Sequence, residues 1–171
     1  MATTYQAIAE VTVGASGTAS IDFTSIPQTF TDLVVKLSSR SASGTTGVGA
    51  TLNSDTGSNY SARALEGDGA TVYSNAATYS SLQMGSSNGG TDTTSNTFAS
   101  SELYIPNYAG SNNKSASSDA VTENNATTAY ATMRASLWSN TSAITSITLK
   151  NSNGNNFAQY STATLYGIKN S

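Results

Sequence analysis

The sequence predicts an all-β chain, a single-domain antiparallel β-sandwich with jelly-roll topology spanning residues 1–171. Three observations carry that expectation. Apolar residues recur with a period of two in short runs, and no stretch of useful length has the i, i+3, i+4, i+7 spacing of a helix. Turn clusters of Gly, Asn, Asp and Ser break those runs every 8–14 residues or so, which leaves room for roughly eight to ten strands. The regular strands lie at 4–40 and 126–169, around a loop-rich middle at 41–125. That arrangement suits terminal strands that build the core and a middle that supplies a sheet and long loops.

Each element follows from local pattern. Tyr5, Ala7, Ala9, Val11 and Val13 share one face of the opening strand, and Gly14–Gly17 turns the chain. Ile21 and Phe23 alternate in a short second strand that ends at Ile26-Pro27, because proline has no N–H to give to a ladder. Leu33, Val35 and Leu37 then face the core, with Lys36, Ser38 and Arg40 outward and Val34 on an outer face that is also covered. In the middle, short strands are expected near 48–53, 60–66, 70–73 and 79–84. The segment 85–96 has no large apolar residue and reads as a mobile surface loop. Phe98–Ile105 is a strand closed by Pro106-Asn107, and a weaker one ends near Val121. Ala129, Ala131, Met133, Ala135 and Leu137 are expected to face inward on the next, with Tyr130, Arg134 and Trp138 outward. Ile144, Ile147 and Leu149 form another, and Phe157, Ala163 and Leu165 line the last.

Composition narrows the chemistry. Charged residues make up 10% of the chain where about 25% is usual, and Ser, Thr and Asn fill about 70 of the 171 positions. The exterior is therefore hydroxyl and amide rather than ionic. With His 0 and Cys 0, triads of the Ser-His-Asp and Cys-His kinds, disulfides and zinc clusters are excluded. A net charge of -3 and the lack of a basic run speak against nucleic acid as a partner. No apolar run approaches the roughly 18 residues of a membrane-spanning helix, and the opening residues lack the pattern of a signal peptide. A cytoplasmic site of synthesis is expected, with no membrane partner and no cofactor.

Few groupings invite chemistry. Glu66 and Asp68 bracket Gly67, a carboxylate pair that reads as solvated turn acids rather than a glycosidase pair. The run Asn53–Asn59 alternates oxygen donors like the first half of a calcium loop. Ala64 stands where the bidentate acid should be, so Asx-turn chemistry explains the run better and no metal is expected. The tyrosines remain. Tyr79, Tyr104 and Tyr108 lie at or beside polar loops, where an aromatic ring has no evident core to fill, and they are the expected interface contacts, with Tyr5 in reserve.

Two stretches, Phe23–Lys36 (FTSIPQTFTDLVVK) and Ser161–Lys169 (STATLYGIK), resemble small virion structural proteins of tailed bacteriophages, those of cyanobacterial and other aquatic phages above all. The resemblance covers the two ends of the chain and not its middle. It implies a non-enzymatic, jelly-roll-like capsid decoration or cement protein. Such a protein is a homotrimer on the capsid exterior, assembled in the host cytoplasm, with the major capsid protein as partner. A competing expectation is a carbohydrate- or receptor-binding module of a phage tail fibre, which would use exposed Tyr and Asn.

Overall fold

The computed structural model describes residues 4–89, 93–125 and 129–169. Its elements are β1 (Tyr5–Thr12), β2 (Ile21–Phe23), β3 (Asp32–Ser41), β4 (Thr46–Leu52), β5 (Tyr60–Gly67), β6 (Val72–Tyr79), β7 (Leu82–Gly89), β8 (Ala99–Ile105), β9 (Lys114–Val121), β10 (Ala131–Trp138), β11 (Ile147–Asn151) and β12 (Thr162–Ile168). No helix occurs among the described residues. The strands form two antiparallel sheets, as expected for a β-sandwich. The large one runs β1-β12-β3-β8-β9-β10-β5-β6 and the small one β2-β11-β4-β7. They join at one corner, where the ends of β3 and β7 pair in parallel through Arg40↔Asn88 and Ser41↔Gly89.

The pattern expected for β3 holds in the fold. Leu33, Val35 and Leu37 are buried, and they pack with Leu103, Ile105, Ala163 and Leu165 of the strands on either side. Lys36 points outward and pairs with Glu102 across the β3–β8 ladder. Val34 lies on that same outer face and is fully buried, between Tyr104 and Tyr166 in its register row. The facing small sheet contributes Ile21, Phe23, Val48, Leu52, Leu82, Ile147 and Leu149 to the same core.

The middle of the chain carries six strands, β4 to β9, as many as the sequence suggests there, but β6 and β7 run past the expected ends at 73 and 84. The break in 79–84 falls at Ser80-Ser81, between β6 and β7. β7 extends to Gly89, so the first part of the loop expected at 85–96 is strand, and residues 90–92 of it lie outside the described residues. The last part is tied down by Arg40, whose Nη1 donates to Thr93 Oγ1 and to the carbonyls of Thr94 and Thr97. Gly85 explains why no large side chain belongs here. It sits at φ +101 within a bulge of the β4–β7 ladder, and a Cβ built on it would lie 2.2 Å from that of Ala120. The small sheet passes against the large one at that point with only hydrogen and methyl groups between them.

That close approach also reverses the face expected for β10. Ala131, Met133 and Ala135 are exposed, whereas Thr132, Ser136 and Trp138 are buried. The interior surface beneath β7 is mostly small, with Ala62, Ala64, Ala116, Ser118, Ala120, Thr132 and Ser136, since bulkier groups would hold the sheets apart, and Arg134, between Ala64 and Ser118, is turned to Glu66. Trp138, at 0% exposure, fixes the strand's orientation by stacking on Tyr60 (centroids 6.2 Å, 16° between planes). Its Nε1–H donates to Asp55 Oδ2 at 2.8 Å.

Candidate interaction surface

The outer face of β9, β10, β5 and β6 is built from aligned rows. The registers place Val121, Ala131, Gly67 and Val72 in one row and Asp119, Met133, Leu65 and Ser74 in the next. Gly67 and Ala131 supply almost no side chain, so the larger groups around them enclose a trough of ≈ 410 Å³ lined by Leu65, Val72, Val121 and Met133. These four are exposed by 52%, 73%, 50% and 65%. On β10 the solvent side is therefore the more apolar side, and the interior side carries Thr132, Arg134 and Ser136. An amphipathic strand turned this way leaves its apolar face for something outside the chain.

Local chemistry sets the strands that frame the trough. At the β5–β6 turn, Asp68 Oδ1 accepts from the backbone N–H groups of Ala70 (2.9 Å) and Thr71 (2.6 Å), and Gly69 takes φ +88. Those bonds hold the Asp68 carboxyl below the usual range, Thr71 N–H contributing most. Asp68 is thus the turn acid expected from sequence. Glu66 is a correction to that expectation: it faces inward and accepts from Thr132 Oγ1 at 3.0 Å and Arg134 Nη2 at 3.1 Å. Arg134, expected outward, forms this half-buried pair because β10 is turned over. The run Asn53–Asn59 does behave as an Asx turn. Asp55 accepts from Gly57 N–H and Asn59 Nδ2 as well as from Trp138, and the indole bond is the main reason its carboxyl lies below the usual range.

The four tyrosines expected as contacts fall in four different settings. Tyr5 is exposed at the end of β1 and meets Tyr166 edge-on at 6.1 Å. Tyr104 is half-buried, its hydroxyl donating to Asp32 Oδ2 at 2.8 Å, and that bond pushes its pKa up. Tyr108 is a core residue at 0% exposure, its hydroxyl donating to the Pro27 carbonyl and its pKa raised by burial. This overturns its reading as a surface contact. The turn after β8 folds back under Pro27 and Ile144, so the ring beside the polar loop does have a core to fill.

Tyr79 is half-buried and borders a second, polar cleft of ≈ 470 Å³ on the outside of the small sheet, with Thr51, Ser81, Gln83 and Lys150 around it. Tyr5 and Tyr104 come close enough to interact, with Tyr166 beside Tyr5, whereas Tyr108 is in the core and Tyr79 stands at its own cleft. The trough residues Leu65, Val72, Val121 and Met133 were not singled out from sequence. The signal was present in Trp138, a large ring that forces the opposite face of β10 outward. No protein-family model, no curated protein and no solved structure matches the chain.

Proposed function

We propose that the chain is a non-enzymatic virion structural protein, a decoration or cement protein bound to the exterior of a tailed-phage capsid at capsomer junctions. Its partners in this reading are the major capsid protein and its own copies in a homotrimer. The observation that supports it is the apolar trough on the outer face of β5, β6, β9 and β10. Leu65, Val72, Val121 and Met133 add little to folding while they stand in water. Covering them in a contact returns about 25 cal/mol per Å² of apolar surface. An adhesive of this kind needs no active site, and three copies engaging one symmetry site multiply weak contacts through effective concentration. The lack of cysteine suits assembly in a reducing host cytoplasm.

The same reading takes the architecture to be a jelly roll. Setting aside the hairpin β5–β6 and the strands β9 and β10 leaves eight strands. These pair first with last (β1–β12), second with seventh (β2–β11), third with sixth (β3–β8) and fourth with fifth (β4–β7), all antiparallel. Pairs alternate between the two sheets, the nesting expected of a long hairpin rolled up on itself. The four strands set aside are additions to one sheet, and they alone carry the trough.

Quantifying the chain in purified virus particles tests the proposal. Hundreds of copies per particle are the expected result, with occupancy sharply reduced by the double variant Leu65→Ser, Met133→Ser. A few tens of copies would move the chain to the tail. The cleft beside Tyr79 favours that second reading, a carbohydrate- or receptor-binding tail-fibre module, because it combines an aromatic face with hydroxyl, amide and ammonium groups. Glycan-array binding that disappears in Tyr79→Ala would establish the tail reading in place of the capsid one.

A further inference from the structure

We infer that β6 is a pairing edge for a second copy of this chain, joining two eight-stranded sheets through an antiparallel β6–β6 contact. β1 and β6 are the two edges of the large sheet, and β2 is an edge of the small one. β1 is interrupted by a register shift between Ala7 and Ala9 and carries Glu10. β2 is three residues long and carries Asp22. Bulges, charges and short length are the devices that keep sheet edges from pairing. β6 has none of them. Its eight residues, VYSNAATY, hold no charge and no proline, and its register with β5 runs unbroken from Gly67↔Val72 to Tyr60↔Tyr79.

Both faces of this strand are open as well. Val72, Ser74, Ala76 and Thr78 continue the outer face, whereas Tyr73, Asn75 and Ala77 share the interior side with Ala62 and Ala64. All seven are exposed. β6 therefore presents an unpaired row of backbone N–H and C=O groups together with a shelf on each side.

The occupant that fits is the same strand. An uncharged edge meeting its own copy opposes no like charges. The nearest charge on the outer face, Arg63, lies one strand back opposite Ala76. Two copies of it would stand three strand spacings apart, about 14 Å, beyond the roughly 8 Å Debye length at physiological salt. Registers centred on Asn75 or on Ala76 keep outer residues opposite outer ones, so the two sheets continue each other and the two troughs lie on one surface. Such a contact is isologous, the commonest symmetry between identical chains, and under the trimer reading it therefore joins chains of two different trimers rather than chains within one. Eight residues a side fall short of the 20–30 or so in a standard interface. The contact is accordingly weak between free copies and strong where other contacts already hold them together.

Because the chain has no cysteine, a single introduced thiol reports the contact without ambiguity. Asn75→Cys and Ala76→Cys are oxidised as purified proteins, with Ser58→Cys, on the exposed turn between β4 and β5, as the reference. At least one of the two β6 variants is expected to form covalent dimer about tenfold faster than the reference, through the effective concentration that pairing supplies. Adding Ser74→Lys, or Thr78→Lys, to the faster variant should return it to the reference rate with its thermal midpoint unchanged. Reference-rate cross-linking by both β6 variants would overturn the inference, and so would a rate that ignores the added lysine. The measurement uses no virus particle, so its outcome is separate from that of the capsid reading.

Discussion

The two halves of the large sheet solve the same packing problem with opposite side chains. In β1, β12, β3 and β8 the interior face carries Leu33, Val35, Leu37, Leu103, Ile105 and Leu165, and the outer face carries Lys36, Glu102 and Thr164. In β9, β10, β5 and β6 the interior beneath β7 is mostly alanine, serine and threonine around the Arg134–Glu66 pair, and the larger aliphatic groups Leu65, Met133 and Val121 stand outside. Separation of the layers accounts for the difference. Stacked sheets ordinarily sit about 10 Å apart, with full-sized side chains interlocking between them. At Gly85 and Ala120 the layers come too close for that. Small residues then gain by close contact what large ones gain by area, and the apolar surface that remains is free to serve an interface.

The comparison breaks most visibly at Trp138, which with its stacking partner Tyr60 brings large buried rings into the small-residue half. Trp138→Ala should destabilise the protein by about 3–5 kcal/mol in denaturant unfolding. Trp138→Phe, which keeps an aromatic beside Tyr60 but loses the bond to Asp55, should cost less than half of that. Equal losses would mean that the hydrogen bond rather than the packing holds β10 in its orientation.

Gly85 tests the close approach itself. Gly85→Ala adds a left-handed-region penalty of about 1–3 kcal/mol to an overlap with Ala120. Introducing Ala120→Gly alongside it should recover only the part due to overlap. A Gly85→Ala protein as stable as the parent would show that the two layers are not in contact there.

A smaller and opposite effect is expected at Ser136, whose buried Oγ has no hydrogen-bond partner. Ser136→Ala removes a polar group that burial penalises and should raise stability by about 1 kcal/mol. The matching change in the other half, Leu37→Ala, should cost about 2–5 kcal/mol, so the pair of variants measures the contrast directly. Loss of stability in Ser136→Ala would show that its hydroxyl has found a partner.

The mildest test is acid. Asp55 has its carboxyl held below its ordinary value by Trp138 first, then Asn59 and Gly57. A carboxyl whose pKa falls on folding contributes stability that is complete above its unfolded pKa and is lost as pH drops through the folded one. The stability gap between the parent and Asp55→Asn should therefore be constant near neutrality and narrow below about pH 4. A gap that does not change with pH would assign the role of Asp55 to its shape rather than its charge.

The same contrast explains what could be read in the chain beforehand. β2, β3, β8, β11 and β12 were legible because their interior faces are large aliphatic or aromatic residues at alternate positions. β9 and β10 were legible as strands but not as faces. In ATMRASLW the exposed side scores as the more hydrophobic, and only its final Trp points the right way. Only the second part of β7, from Gly85 on, reads as a loop in the sequence, because GSSNG lacks bulk just where the fold forbids it at Gly85. The candidate surface was missed for the same reason, since Met133 reads as a core residue and Leu65, Val72 and Val121 lie in weakly patterned strands whose faces the sequence does not set. Tyr108 failed from the other direction: proximity to a polar loop says nothing of the Pro27 carbonyl, which lies 81 positions away in sequence.

The pairing of β1 with β12 governs the order in which the molecule can come into being. Tyr5 lies opposite Ile168, and the Lys169 N–H donates to the Thr4 carbonyl at 3.1 Å. A chain emerging from the ribosome makes the first of these strands long before its partner, so the sheet edge at β1 must wait until all of β2 to β11 has been made. The β5–β6 and β9–β10 pairs, by contrast, are joined by short connections, from Gly67 to Val72 and from Val121 to Ala131. Non-local closure of this kind slows folding, because the entropy of a long loop is lost before any contact offsets it. Nascent chains should hold formed hairpins early and a complete barrier to proteolysis only after residue 168 has left the exit tunnel.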